Sequence, residues 1–461
     1  MVSVSKLVGS GLLISSQQIF ENLATPQQAA VDQYNIVRYL GGAAPYVQRQ
    51  GNGIDTAIPD QCSIEQVHLL SRHGERYPSK NSGKTYAQVV KDVQGYSGTF
   101  KGDLAFLNDY EYFVTDTKRY EKETTPGFGN KLYSGTTDAL KHGASFREKY
   151  NSLYNPEAVL PVFSSSSRRV YQTSEYFVRG FLGDAYGTNN TKWSIISEDP
   201  DMGANSLTPS SGCKNFSAAT NKTTIDSYSK DYLKVPLERF QKANPGLNLT
   251  TSQVSSFFGI CAFELNVNGY SPFCGVFTNE ELIRYSYGQD VSYYYTYGPG
   301  NKLSSTVSSQ LLNASFNLLQ NDSSSNKIWL SFTHDTNIES FLASLGITNP
   351  LVDLPTDEIP FPYPYMHSSI VPQGARLYTE KLKCGDSSYV RYILNDAVVP
   401  IPGCGSGPGF SCPWDEYSEY IKGRLDGKHY VEDCGSDNVP GEVKFYWDYN
   451  STSYDAALID G

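Results

Sequence analysis

LLSRHGERYPSK, residues 69–80, places two arginines, a histidine, a glycine and a proline directly behind an apolar run. Val67, Leu69 and Leu70 read as the end of a buried strand, Gly74 opens a turn, and Pro78 limits what can follow it. Two later segments repeat this design of apolar strand, polar turn and helical period. In VLPVFSSSSRRVYQTSEYFVRGFLG, residues 159–183, Val159 to Phe163 form the strand and Val170, Ser174, Phe177 and Phe181 mark one helical face. In KIWLSFTHDTNIESFLASLGI, residues 327–347, Ile328 to Phe332 form the strand. Ile338, Phe341, Leu342 and Leu345 then fall at i, i+3, i+4 and i+7, and Gly346 is a helix stop.

Strands alternating with helices predict an α/β fold with a largely parallel sheet flanked by helices, whose ligands sit beyond the carboxyl ends of the strands. All three polar turns lie at that edge. They deliver Arg72, His73 and Arg76 from the first strand, Arg168 or Arg169 from the second, and His334 with Asp335 from the third. Guanidinium forks match tetrahedral oxyanions bidentately, so the guest of such a cluster is a phosphate. Gly74 is expected to let that phosphate approach the backbone. A histidine among arginines is then a nucleophile that attacks phosphorus, giving a phosphohistidine that water later hydrolyses. Neighbouring cations disfavour the imidazolium, so His73 stays neutral in mild acid. Asp335, beside the phosphate-contacting His334, is the candidate general acid, and it also suits the N-terminus of the helix that follows.

The remaining composition bounds the setting. A chain of 461 residues predicts two structural lobes. The net charge of −11 argues against a nucleic-acid partner, and no basic stripe appears. Eight cysteines without a C-x-x-C pair favour disulfides over zinc, and hence an oxidising compartment. Asn-x-Ser/Thr sites at Asn189, Asn215, Asn221, Asn248, Asn313, Asn321 and Asn450 point the same way. Residues 1–18, with Lys6 before the short apolar run Leu7–Ile14, read as a signal peptide too short to span a bilayer, and no later run is long enough to do so. No metal or other cofactor is expected. His68, His142, His367 and His429 are read as structural, the tyrosines 293–295 as packing, and Lys80, Lys84 and Lys91 as a solvated helix face.

RHGERYP at 72–78 together with HDTN at 334–337 resembles the histidine acid phosphatases, the group of fungal phytases and yeast secreted acid phosphatases within the phosphoglycerate-mutase-like superfamily. NIVRYLGGAAPYVQRQGNGI at 35–54 and SSSSRRVYQTS at 164–174 extend the likeness over most of the chain. The resemblance implies His73 as nucleophile, Arg72, Arg76 and His334 as phosphate ligands, and Asp335 as proton donor. It favours Arg169 over Arg168, because the family pattern sets this arginine directly before a small apolar residue, here Val170. It further implies the pairs Cys62 with Cys384, Cys213 with Cys434, Cys261 with Cys274, and Cys404 with Cys412.

By the same resemblance, residues 58–85, 131–190 and 325–461 form the α/β lobe. Residues 86–130 and 191–324 form a smaller, mainly helical lobe, and 19–57 an N-terminal arm through which copies assemble into homo-oligomers. The implied function is a secreted acid phosphomonoester hydrolase, a phytase, with a broad-specificity acid phosphatase as the alternative and a phosphotransferase or mutase behind both. Glu75 departs from the Ala of some specialised phytases, and near the pocket its replacement would shift the balance between phytate and simple esters.

Overall fold

β1 (Cys62–Arg72) and β4 (Ile328–Thr333) pair in parallel, in a register that sets Arg72 against Thr333. β2 (Leu160–Ser165) joins the other side of β4, and β3 (Thr191–Ile196) continues beyond β2, also in parallel. In the computed structural model, which describes residues 35–125, 133–187, 191–321, 325–360 and 365–460, the sheet order is β3-β2-β4-β1-β5-β6-β7. The expected signal peptide, the arm before residue 35 and Asn189 lie outside the described residues. β5 (Arg376–Cys384), β6 (Ser387–Leu394) and β7 (Ala397–Val399) run antiparallel to their neighbours, and β8 (Cys412–Pro413) pairs with β6. Every residue of β2 and β4 is buried, as in central strands covered on both faces.

The helices that follow these strands begin at the polar edge, and their apolar stripes decide where they lie. α2 (Gly135–Tyr150) and α3 (Arg168–Leu182) cover one face with Phe146, Phe177 and Phe181. α7 (Ser309–Gln320), α8 (Asp335–Leu345) and α9 (Trp414–Leu425) cover the other with Leu312, Ile338, Leu342 and Ile421. α8 stops at Gly346, whose φ of 86° is the left-handed conformation a glycine adopts without strain. A separate core joins α1 (Lys80–Gln94), α4 (Lys234–Ala243) and α5 (Thr251–Asn268) through Val90, Val93, Phe240 and Phe257.

Three expected boundaries are corrected by where apolar side chains are buried. β3 is a strand of the main sheet and α7 packs on that sheet, so 191–324 is not one helical insertion. α1 starts at Lys80 and buries Val89, Val90 and Val93 in the helical core, so that lobe begins before residue 86. Val37, Leu40, Ala44 and Val47 are buried in the same core, so the helical lobe takes in this part of the expected arm.

Disulfides join Cys62 to Cys384, Cys213 to Cys434, Cys261 to Cys274 and Cys404 to Cys412. The first sits on a register pair of β1 and β5. Among the described residues no helix is long and apolar enough to cross a membrane.

α2 and α3 cross at two glycines. A Cβ on Gly143 would lie 1.9 Å from the Phe177 carbonyl oxygen, and one on Gly180 would lie 1.9 Å from that of Leu140. Gly143→Ala is therefore expected to cost about 1–3 kcal/mol through overpacking, read as a lower urea midpoint at unchanged slope. An unchanged midpoint would mean that the helices separate freely.

Candidate active site

The site follows from the parallel register. With Arg72 opposite Thr333, the next residues, His73 and His334, leave the sheet side by side, and their rings meet edge to face with centroids 5.8 Å apart. Arg72 is 1 % exposed. Its Nη1 donates to the carbonyl oxygens of Gly42 at 2.6 Å and Val371 at 2.5 Å, and its Nη2 pairs with Asp335 Oδ2 at 2.7 Å. A buried guanidinium fixed this way presents charge at one place instead of sampling many.

His73, also 1 % exposed, is oriented by its own turn. Its Nδ1 lies 2.9 Å from the Gly74 carbonyl oxygen, which only accepts, so Nδ1 carries the proton and Nε2 keeps a lone pair in the neutral ring. Burial, then Arg72, Arg169, Arg76 and His334, hold its pKa well below the ordinary imidazole value. The loop is clamped from behind. The Gly74 amide donates to Glu123 Oε1 and Thr173 Oγ1, both at 2.8 Å, the Arg76 amide to Gln373 Oε1 at 2.7 Å, and the Gly374 amide to the His73 carbonyl at 2.7 Å. Burial pushes the Glu123 carboxyl up to about 8 against the bonds it accepts, so it holds a proton in mild acid.

Of the two adjacent arginines, the structure turns only one inward. The Arg168 side chain is 49 % exposed and pairs with Asp460 Oδ1 at 2.7 Å. That of Arg169 is 16 % exposed, with Nη1 3.4 Å from Glu121 Oε2, and its charge bears on His73 and Arg76. Arg76 lies over the Phe263 ring of α5, 5.3 Å from its centroid, so the helical lobe backs the pocket. Burial and the charges of Arg169 and Arg72 lower Arg76 to about 10.

On the third turn, His334 Nε2 meets Glu198 Oε1 at 2.7 Å. Burial opposes ionisation of Glu198, but the bond and charge of His334 outweigh it and bring the carboxyl down to about 2. His334, not Asp335, is the N-cap of α8; Asp335 is its first residue, where its Oδ1 accepts the Thr336 amide at 2.9 Å while its Oδ2 faces Arg72. Burial alone would raise its pKa, yet Arg72, His367 and His334 together bring it down to about 2.

Two residues of the motif have neighbours that the sequence does not show. Gly74 lacks a side chain because α2 packs on it, a Cβ there falling 2.8 Å from the Gly135 Cα. Glu75 is fully buried, but away from His73: Oε1 accepts the Tyr46 amide at 2.7 Å, and burial and Asp138 push its carboxyl up to about 7. It lines a cavity of about 530 Å³ together with Tyr46, Arg72, Gly74 and Arg376. Glu121, Glu123, Thr173 and Glu198 were not readable in advance, because each meets the site through a contact at least 48 residues away along the chain. His68 and His142 are core residues bonded to Ser315 and Tyr378, as expected.

The residues 63–395 match the histidine phosphatase superfamily (branch 2). The chain belongs to that family. It is 55 % identical to a phytase of Candida albicans over 460 residues, covering 99 % of this chain and 100 % of the relative. Against the constitutive acid phosphatase of Saccharomyces cerevisiae the identity is 40 % over 436 residues, 93 % of this chain and 92 % of the relative. The crystal structure of the phytase from D. castellii superposes with a TM-score of 0.92 at 56 % identity, covering 97 % of this chain and 98 % of that one.

The inward and outward arginines are separable by mutation. Arg169→Ala should lower kcat/KM for phosphate esters by about 10²-fold or more, as loss of a donor to the transition state does, whereas Arg168→Ala should change it less than about twofold. The reverse order would reassign the clamp.

Proposed function

We propose that this chain is a secreted acid phosphomonoester hydrolase of the phytase type, acting through a phosphohistidine on His73. The observation that carries this reading is the Nδ1 contact with the Gly74 carbonyl, which leaves Nε2 as the nucleophilic lone pair within a ring of Arg72, Arg76, Arg169 and His334. The ester phosphate binds among these groups. Nε2 attacks phosphorus, the bond to the ester oxygen breaks, and the leaving alkoxide takes a proton from Asp335. Water then attacks the phosphohistidine, its proton passes to Asp335 and from there to the departing inorganic phosphate, and the ring is neutral and Asp335 ionised again.

Asp335 near 2 is ionised in the free enzyme, so its proton must arrive with the substrate. A phosphate monoester has a second pKa of about 6 and is a monoanion in mild acid. Its proton moves to Asp335 as it binds, and the dianion this leaves satisfies Arg72, the guanidinium that holds Asp335 ionised. Both halves of the catalytic pair therefore suit acid: a nucleophile kept neutral by cations, and a general acid loaded by the protonated substrate.

The high identity to relatives named phytases favours phytate as substrate, with the broad acid phosphatase as the alternative that the yeast relative supports. Secretion is supported by the four disulfides and by sequon asparagines, of which the described six are none of them buried. Any assembly through the N-terminal arm falls outside the stretch 37–47, whose Val37, Leu40, Ala44 and Val47 are packed into their own chain.

Asp335→Asn tests the proton donor. The loss in kcat should be about 10²-fold or more for alkyl phosphates and much smaller for p-nitrophenyl phosphate, whose leaving group needs little protonation. Wild-type kcat/KM should hold as pH falls through 6.5 and decline only in stronger acid, where His73 takes its proton. Equal losses on both esters, or a decline centred at about 6.5, would contradict the assignment.

A further inference from the structure

The tyrosine run 293–295 ends α6 (Asn279–Thr296), and its three members behave differently. Tyr294 donates to Asp353 Oδ1 at 2.6 Å and Tyr295 to the Leu354 carbonyl at 2.7 Å, so these two pack the helix onto the chain around 353. Tyr293 is half-buried, and its hydroxyl has no hydrogen-bond partner among the described residues. Its ring lies flat on His367, with centroids 3.6 Å apart and 16° between planes.

His367 cannot swing away. Its Nδ1 is 2.7 Å from Glu339 Oε1, its amide donates to Asp290 Oδ1 at 2.7 Å, and the Tyr365 hydroxyl donates to the same Glu339 oxygen at 2.7 Å. Its Nε2 faces Gly42 so closely that a Cβ there would come within 2.5 Å. The carbonyl of that same Gly42 accepts from Arg72 at 2.6 Å. Glu339 lies one turn along α8 from Asp335. Contacts thus run from the Tyr293 ring through His367 and Gly42 to Arg72, and through His367 to Glu339 on the helix that begins with Asp335. The charges that bear on the Tyr293 hydroxyl are those of Asp335, Glu339 and Arg72. Burial and the two carboxylates push the phenol far up, so it keeps its proton at any working pH and is a neutral donor.

Asp335 marks the side of the pocket where the leaving oxygen is protonated, and Tyr293, tied to that side through His367, is a rigid neutral donor aimed at the alcohol and not at the phosphate being transferred. With one face of the ring spent on His367, the hydroxyl edge is what remains to offer. We propose that Tyr293 determines specificity: its hydroxyl donates a hydrogen bond to an oxygen of the leaving alcohol next to the ester oxygen. The site thereby favours alcohols with oxygen acceptors on neighbouring carbons, such as a phosphorylated ring polyol, over an aryl group that has none there. This inference rests on Asp335 being the proton donor.

Tyr293→Phe keeps the ring and its stack, so the melting temperature should stay put. The ratio of kcat/KM for phytate to that for p-nitrophenyl phosphate should fall about three- to tenfold, mainly through KM for phytate, the worth of one neutral hydrogen bond. Within the wild type, glycerol 2-phosphate should be preferred over isopropyl phosphate, and the preference should shrink in Tyr293→Phe. An unchanged ratio, or no wild-type preference between the two alkyl esters, overturns the proposal. Failure of the wild type to release phosphate from any of these esters would instead overturn the functional reading on which it rests.

Discussion

The in-register parallel pairing of β1 with β4 is the constraint on which the site depends. It brings Arg72 opposite Thr333, and therefore sets His73 and His334 next to each other and Asp335 within 2.7 Å of Arg72. A slip of one residue would invert which side chains face the core and would part these groups at once. The apolar residues that hold the register, among them Leu69, Leu70, Leu330 and Phe332, are buried in cores on both faces of the sheet. Hydrophobic burial spread over the whole sheet thus fixes chemistry at its edge.

What that edge collects is unfavourable on its own. Several cations are gathered where water is largely excluded, and bringing like charges out of water costs free energy unless anions answer them. In the free protein three carboxylates do so, Asp335 on Arg72, Glu198 on His334 and Glu121 on Arg169. A phosphate answers the same charges with its own oxygens. Binding therefore exchanges anions instead of filling an empty field, and the exchange frees Asp335 to hold a proton at the moment the leaving group needs one. The acid preference of the chemistry and the electrostatics of the resting site are one property.

Much of this was legible in the sequence because it is local. The three strand-turn-helix units could be read from the hydrophobic periods of β1, β2 with α3, and β4 with α8, and each places its polar turn at the same sheet edge. What could not be read depends on distant contacts. Arg168 and Arg169 differ only in which neighbour each meets, Asp460 or Glu121. Glu75 sits in the motif but turns toward Tyr46, and Gly74 is also where α2 packs against the loop. His367 and Tyr293, in sequence that reads as loop and packing, reach the site only because α6 and the chain around 367 converge on Gly42. The antiparallel extension β5 to β8 and the capture of residues 37–47 by the helical core likewise leave no local signature.

The central claim is that the phosphoryl group passes through Nε2 of His73. It is tested most directly by mixing the purified protein with a phosphorus-labelled ester in mild acid, quenching with alkali within milliseconds, and mapping the labelled peptide. Label on Nε2 of His73, appearing before steady-state phosphate release and lost in His73→Ala, is the predicted result. Label on another residue, or full turnover in the wild type with no labelled peptide at any time, would contradict it.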